Sequence, residues 1–262
     1  DLKNNKISLD TKINITNSDA ILNKYNLSSS VSVQDALFLL ENEESNALLE
    51  AIFTKYAITI EKAKNILSSM SLNDTTLASL TIDEKNMSTA KNMSYLTNMI
   101  LRNYPKLTEI TKNPEVTLSS GSKATNNVSF TESDKFRVLG LSHANKNSIT
   151  FAYSGDTKLL ITILNQNDDK TTYFDKLQKT YDYLFSNYSY KLALKAGSYK
   201  INNENITFDK DIYDLFYEKH SIKDVTYLLM NKKILLFQKY ETISANAGTV
   251  FADFSSNDTS GV

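Results

Sequence analysis

The apolar residues of this chain change their period along its length, and those changes limit what the chain can fold into. Between Val33 and Leu72 they recur at helical spacing: Ala36, Leu37 and Leu40, then Leu48, Leu49, Ile52 and Phe53, then Ile60, Ala63, Ile66 and Leu67. Met93, Leu96, Met99 and Ile100 line one face of a further helix, which Pro105 ends because proline has no N–H to donate. A methionine stripe of this kind reads as core packing. From Phe136 onward the pattern becomes that of strands. Ile149 to Tyr153 and Leu159 to Leu164 flank Ser154-Gly155-Asp156-Thr157, so a hairpin is expected there. Phe174, Leu177, Tyr181, Leu184 and Phe185 then mark a helix that packs on the sheet. The expected class is α+β, a helical lobe against an antiparallel sheet.

After Tyr190 the pattern changes again. Leu192-Ala193-Leu194, Ile206-Thr207-Phe208, Val225 to Leu229 and Ile234 to Phe237 are short apolar runs separated by polar turns such as Asn202 to Asn205 and Asn231-Lys232-Lys233. The reading is a larger domain over residues 1–190, a small all-β domain over 191–254, and a polar tail over 255–262 that is disordered.

Composition removes several classes of function. A net charge of −1 gives no general electrostatic basis for binding nucleic acid. No apolar run approaches the roughly 18 residues needed to span a bilayer, and the start shows no signal-peptide pattern, so the chain reads as a mature or trimmed soluble form. With no cysteine there is no disulfide, no thiol nucleophile and no Cys-ligated zinc. His143 and His220 stand outside any H-E-x-x-H or His-rich spacing, so no metal site is expected. No cofactor is expected either.

One stretch carries more specific information: Ser88-Thr89-Ala90-Lys91-Asn92-Met93-Ser94-Tyr95-Leu96, running on to Ile100-Leu101-Arg102-Asn103-Tyr104-Pro105. It resembles a segment of the serine D-Ala-D-Ala carboxypeptidases, the low-molecular-mass penicillin-binding proteins. Upstream, Ile7 to Thr16 resembles the strand after that family's nucleophile helix, and Ser30 to Leu37 resembles the opening of its next helix. Downstream, Phe136 to Ser142, Ser148 to Ala152 and Lys158 to Leu164 resemble the K-T-G strand and the hairpin behind it. The resemblance covers about residues 5 to 190 and implies the penicillin-binding-protein/serine β-lactamase fold. The residues after Tyr190 resemble the family's C-terminal β domain, without its amphipathic membrane anchor.

The family's chemistry needs three motifs in one groove: S-x-x-K, in which a Ser attacks the peptide carbonyl and Lys takes its proton; S-x-N; and K-T-G. The S-x-x-K helix belongs before Ile7. S-x-N falls on Leu40-Glu41-Asn42, where the Asn alone is kept. K-T-G falls on Val138-Leu139-Gly140, which keeps the Gly that lets a substrate backbone lie against the strand and loses the cation for its carboxylate. Arg137, Ser142 and His143 are placed to line the same groove. His143 also reads, more simply, as a solvated loop residue.

Two further strings fit S-x-x-K. Ser88-x-x-Lys91 is expected to be a helix start, with Ser88 as the capping residue, and Ser120-x-x-Lys123 lies in a polar, Gly-containing loop. No catalytic residue is therefore assigned. The resemblance implies a catalytically degenerate relative of the carboxypeptidases that binds cell-wall peptide or an envelope protein partner outside the cytoplasm. A second chain supplying the N-terminal segment is a further possible partner. The alternative is a working D-Ala-D-Ala carboxypeptidase whose Ser and Lys lie upstream of residue 1. A third reading, a structural or assembly protein, rests on the 15 Tyr and 12 Phe residues as interface anchors.

Overall fold

The computed structural model describes residues 8–16, 19–104, 106–107, 110, 115–125, 133, 135–138, 143–144, 146–201, 203–218, 225–230, 233–240, 243–251 and 255–256. Contacts divide the chain into one unit of residues 1–153 with 159–179, and a second of residues 154–158 with 180–262. Each is described by itself.

In the first unit, β1 (Lys12–Asn14) pairs antiparallel with β2 (Ser30–Ser32), which sets Ile13 opposite Val31. Both side chains are fully buried. The chain between them forms α1 (Ala20–Lys24), too short for the apolar period to announce. Three helices follow where the period placed them: α2 (Val33–Asn42), α3 (Asn46–Lys55) and α4 (Ile60–Ser69). Each begins at a hydroxyl. Ser32, Ser45 and Thr59 accept the backbone N–H of Asp35, Leu48 and Lys62 respectively, satisfying donors that the first helical turn leaves free. Phe38, Leu39 and Leu48 then meet Ile13 and Val31 in one core cluster.

The helix ends follow a rule that the sequence hides. After α1, α3 and α4 the chain passes through Asn26, Ala57 and Ser71, all at positive φ. Behind Ala57, the N–H of Ile58 reaches the carbonyl of Phe53 at 2.9 Å and that of Ala57 reaches Thr54 at 3.3 Å, the paired closing bonds of a helix end that usually carries glycine.

The turn of a small hairpin, β3 (Glu115–Thr117) with β4 (Lys123–Thr125), is fixed to the helices. The Ser119 N–H donates to Asp35 at 3.1 Å and the Ser120 hydroxyl to the Tyr25 carbonyl at 2.8 Å. The stretch read as a loop is thus a turn running into a strand.

α5 (Ala90–Asn103) corrects two expectations. Its cap is Thr89, whose Oγ1 accepts the Asn92 N–H, and not Ser88. Its buried side chains are Asn92 and Thr97, whereas Met93, Leu96, Met99 and Ile100 are only half-buried. Polar bonds hold this face in place. Asn92 donates to Thr75 at 3.1 Å, Thr75 and Ser88 share a hydroxyl bond of 2.8 Å, and Ser94 donates to Thr162 at 2.8 Å.

The sheet of the first unit is built on β7 (Asn147–Ser154). One side pairs with β5 (Arg137–Val138) and then β6 (His143–Ala144); the other pairs with β8 (Thr157–Ile163). The hairpin turn has Gly155 at φ +54°, a conformation that glycine adopts without steric cost. α6 (Lys170–Asn187) brings Tyr173, Phe174 and Leu177 into this unit's interior, and a hydroxyl bond joins Tyr173 to Ser148 on β7.

The second unit is antiparallel throughout its strands. β9 (Tyr188–Leu194) pairs with β12 (Ile212–Tyr217), β10 (Gly197–Ile201) with β11 (Glu204–Phe208), and β14 (Lys233–Tyr240) stands between β13 (Val225–Met230) and β15 (Ile243–Phe251). The tail expected to be disordered contributes β16 (Ser255–Ser256), paired to Ile206 and Thr207; residues 257–262 lie outside the described residues.

The Ala57 conformation is testable. The left-handed region costs a non-glycine residue about 1 kcal/mol or more, so Ala57→Gly is expected to stabilise the chain by about 1 kcal/mol, read as a higher urea midpoint at unchanged m-value.

Candidate functional site

The positions carrying the motif resemblance fall on two elements of the first unit. Leu40, Glu41 and Asn42 form the last turn of α2, and Arg137 and Val138 form β5, on the edge of the sheet. α2 lies against β6, which contains His143 and continues along β7 beyond β5. Both elements thus belong to the same region of the first unit, joined through β6 and β7. Leu139, Gly140 and Ser142 lie outside the described residues. The pairing register steps by one between the two short strands, from Val138 opposite Ala152 to His143 opposite Ser148. Arg137 is exposed, and its backbone pairs with Tyr153.

Glu41 has the most perturbed titration of this group. Burial holds its carboxyl away from water and pushes its pKa up to about 8. At neutral pH it keeps its proton for most of the time, which removes a fixed negative charge from this end of α2.

A polar pair at the junction of α2 and α3 was missed by the sequence reading. Ser45 is buried, donating to Asp19 and accepting from Leu48, and the Asn46 amide oxygen accepts the N–H of Ile82 at 2.8 Å. The available signal was the string Glu44-Ser45-Asn46, which keeps a terminal Asn four residues beyond the triplet first aligned and opens a helix instead of closing one.

Neither spare Ser-x-x-Lys string forms a nucleophile with its base. The Ser120 hydroxyl is committed to a backbone carbonyl, and Lys123 bonds Glu115 at 2.7 Å. Ser88 shares its hydrogen bond with Thr75, and Lys91 is exposed. A serine whose proton is held by a carbonyl or another hydroxyl has no base beside it to make it nucleophilic. Among the described residues no three His, Asp or Glu side chains converge as a metal site.

No protein-family model and no curated protein matches the chain. Solved structures do. Penicillin-binding protein 6B from Escherichia coli aligns over 95% of this chain and 82% of its own at 15% identity and a TM-score of 0.69. Penicillin-binding protein 5 from Haemophilus influenzae aligns over 97% and 85% at 16% identity and 0.68. The D-alanyl-D-alanine carboxypeptidase DacD from Francisella tularensis aligns over 97% and 84% at 11% identity and 0.62. The chain has the α+β fold of these proteins.

The raised Glu41 pKa links stability to pH with a defined sign. The unfolded chain loses the proton near the ordinary value of 4.5 and the folded chain near 8, so stability is fully present below the first value and falls as pH rises to the second. Glu41→Gln, which cannot ionise, is expected to flatten this slope and to gain on the parent chain by roughly 4 kcal/mol between pH 5 and pH 9, measured by denaturation at those two values.

Proposed function

We propose that this chain is a non-catalytic counterpart of the D-Ala-D-Ala carboxypeptidases, acting outside the cytoplasm and binding cell-wall peptide or an envelope protein along the edge formed by β5 and β6. The observation that supports this reading most directly is the identity of Val138. At the strand position where the family resemblance calls for a lysine, the sheet edge carries an aliphatic residue. The commitment of Ser88 and Ser120 to other partners points the same way. Among the described residues no helix is long and apolar enough to cross a membrane.

A second reading has one observation in its favour. The solved neighbours hold 82–85% of their length in register with this chain, so their fold includes segments with no counterpart here. A nucleophilic Ser and its Lys supplied from elsewhere, in the same protein or by a second chain, would make the groove a working carboxypeptidase. Labelling of the full-length protein with a fluorescent penicillin separates the two. We expect no covalent adduct. An adduct on a serine outside residues 1–262 would support the active enzyme, and one on Ser88 or Ser120 would overturn the register itself.

Ligand selectivity follows from the same position. A charge-assisted hydrogen bond contributes about 1.5–3 kcal/mol, or one to two powers of ten in affinity. Without that cation, a peptide ending in D-Ala-D-Ala and its C-terminal amide are expected to bind equally weakly in a calorimetric titration. A tenfold or greater preference for the free carboxylate would mean that Arg137 or Lys146 has taken over the cationic role. Val138→Lys alone is not expected to produce turnover, because it supplies no nucleophile.

A further inference from the structure

The ribbon of β9 and β12 presents an aromatic face that plays no role in the groove of the first unit. Strand alternation places Tyr188, Tyr190 and Leu192 on one face of β9. The register sets Tyr217, Leu215 and Tyr213 directly opposite them. The rings meet in pairs. Tyr190 and Tyr213 stack diagonally with centroids 5.6 Å apart and planes 22° from parallel, and Tyr188 and Tyr217 approach to 5.2 Å at 48°. Tyr190 is 47%, Tyr213 44% and Leu192 36% exposed, whereas Ala193, Leu194 and Phe216 of the same ribbon are buried.

Two properties decide what such a face fits. It carries no charged side chain: Lys191 and Asp214 fall on the opposite face by alternation, and Lys191 bonds Glu218 at 2.7 Å. An ionic partner, whether acidic peptide, nucleic acid or anionic lipid, finds no complement on it. It is also small. A fully open aromatic side chain offers about 150–250 Å², so the three exposed members, Tyr190, Tyr213 and Leu192, present roughly 250 Å², and with the half-buried Tyr188, Leu215 and Tyr217 the face stays well short of the about 800 Å² per partner that a stable protein pair buries. An uncharged, ring-shaped, hydroxylated ligand matches both properties. Its apolar C–H face lies flat on a tyrosine ring, and its hydroxyls reach the phenolic oxygens and the water around them.

We propose that this face is a platform for a neutral polysaccharide, with successive sugar rings stacked on Tyr190 and Tyr213. The site lies wholly in the second unit and stands whether or not the groove of the first unit binds peptide.

The chain has no tryptophan, so Tyr190→Trp installs a single indole reporter on the platform while keeping a stacking ring. Titrating this variant of the full chain with chitohexaose and with cellohexaose is expected to give a saturable fluorescence change in the millimolar range for at least one of them. Adding Tyr213→Ala should weaken that binding about tenfold, and adding Tyr213→Phe should leave it within about threefold, since the ring remains. A chain with an intact thermal transition that shows no saturable change with either sugar overturns the proposal. So does binding that survives Tyr213→Ala undiminished, and so does a concentration-dependent dimer in sedimentation that Tyr213→Ala abolishes, which would make the face a contact between copies.

Discussion

Ser45 ties the helical region of the first unit together, because two helix starts depend on its one hydroxyl. Its oxygen accepts the N–H of Leu48 and so caps α3, while its proton goes to a carboxylate oxygen of Asp19, whose other oxygen caps α1 at Ile21. A buried hydroxyl left unpaired costs about 1–3 kcal/mol, and an N-cap contributes typically about 1 kcal/mol. The arrangement meets both demands with two side chains and fixes α1 against the start of α3. Asp35 acts in a similar way on α2, accepting the Ser119 N–H of the β3–β4 turn. The core of Ile13, Val31, Phe38, Leu39 and Leu48 supplies the bulk of the burial, and these polar bonds determine which helix start sits beside which.

That division of labour explains what could be read from the sequence. Apolar period located α2, α3, α4 and the β7–β8 hairpin, because burial of one face is all that period reports. It misjudged α5, whose face toward the interior is Asn92 and Thr97, with the Asn92 side-chain amide donating a hydrogen bond to Thr75, distant in sequence. The cap was placed one residue early, since Ser88 and Thr89 are equally good candidates until the partner of Ser88 across the fold, Thr75, is known. Helix ends were silent because Asn26, Ala57 and Ser71 occupy the left-handed positions where glycine would have marked a stop. β12 was missed for a different reason. Ile212-Tyr213-Asp214-Leu215-Phe216-Tyr217 alternates only weakly, since Tyr213 and Leu215 face outward and Asp214 shares the inner side with Phe216.

Of the candidate site, the sequence order gave the elements that carry its described positions, and little of its chemistry. The order of segments placed Val138 on a strand and Leu40 to Asn42 on a helix that packs in the same unit, and order is a property of topology, which survives wide sequence change. The triplet at Leu40 to Asn42 is harder to place, because three residues carry little information and a helix of this length tolerates a shift by one turn. The polar pair Ser45 and Asn46 stands at the next junction, where side chains are free of the helical ladder and can reach outward.

Fold and chemistry make different demands on a chain. The hydrogen bonds that cap the helices run through Asp19, Ser32, Ser45, Thr59 and Thr89, and the buried cluster runs from Ile13 to Ala124. A lysine on a sheet edge contributes little to stability, since exposed ion pairs contribute at most about 1 kcal/mol, but it contributes one to two powers of ten to the capture of a carboxylate. A change at such a position can therefore alter ligand capture while leaving the fold unchanged. The same reasoning explains why likeness of fold at 11–16% identity says so little about activity. The interactions that make structures superimpose are numerous and mostly apolar, whereas those that make an enzyme are few, polar and individually dispensable to folding.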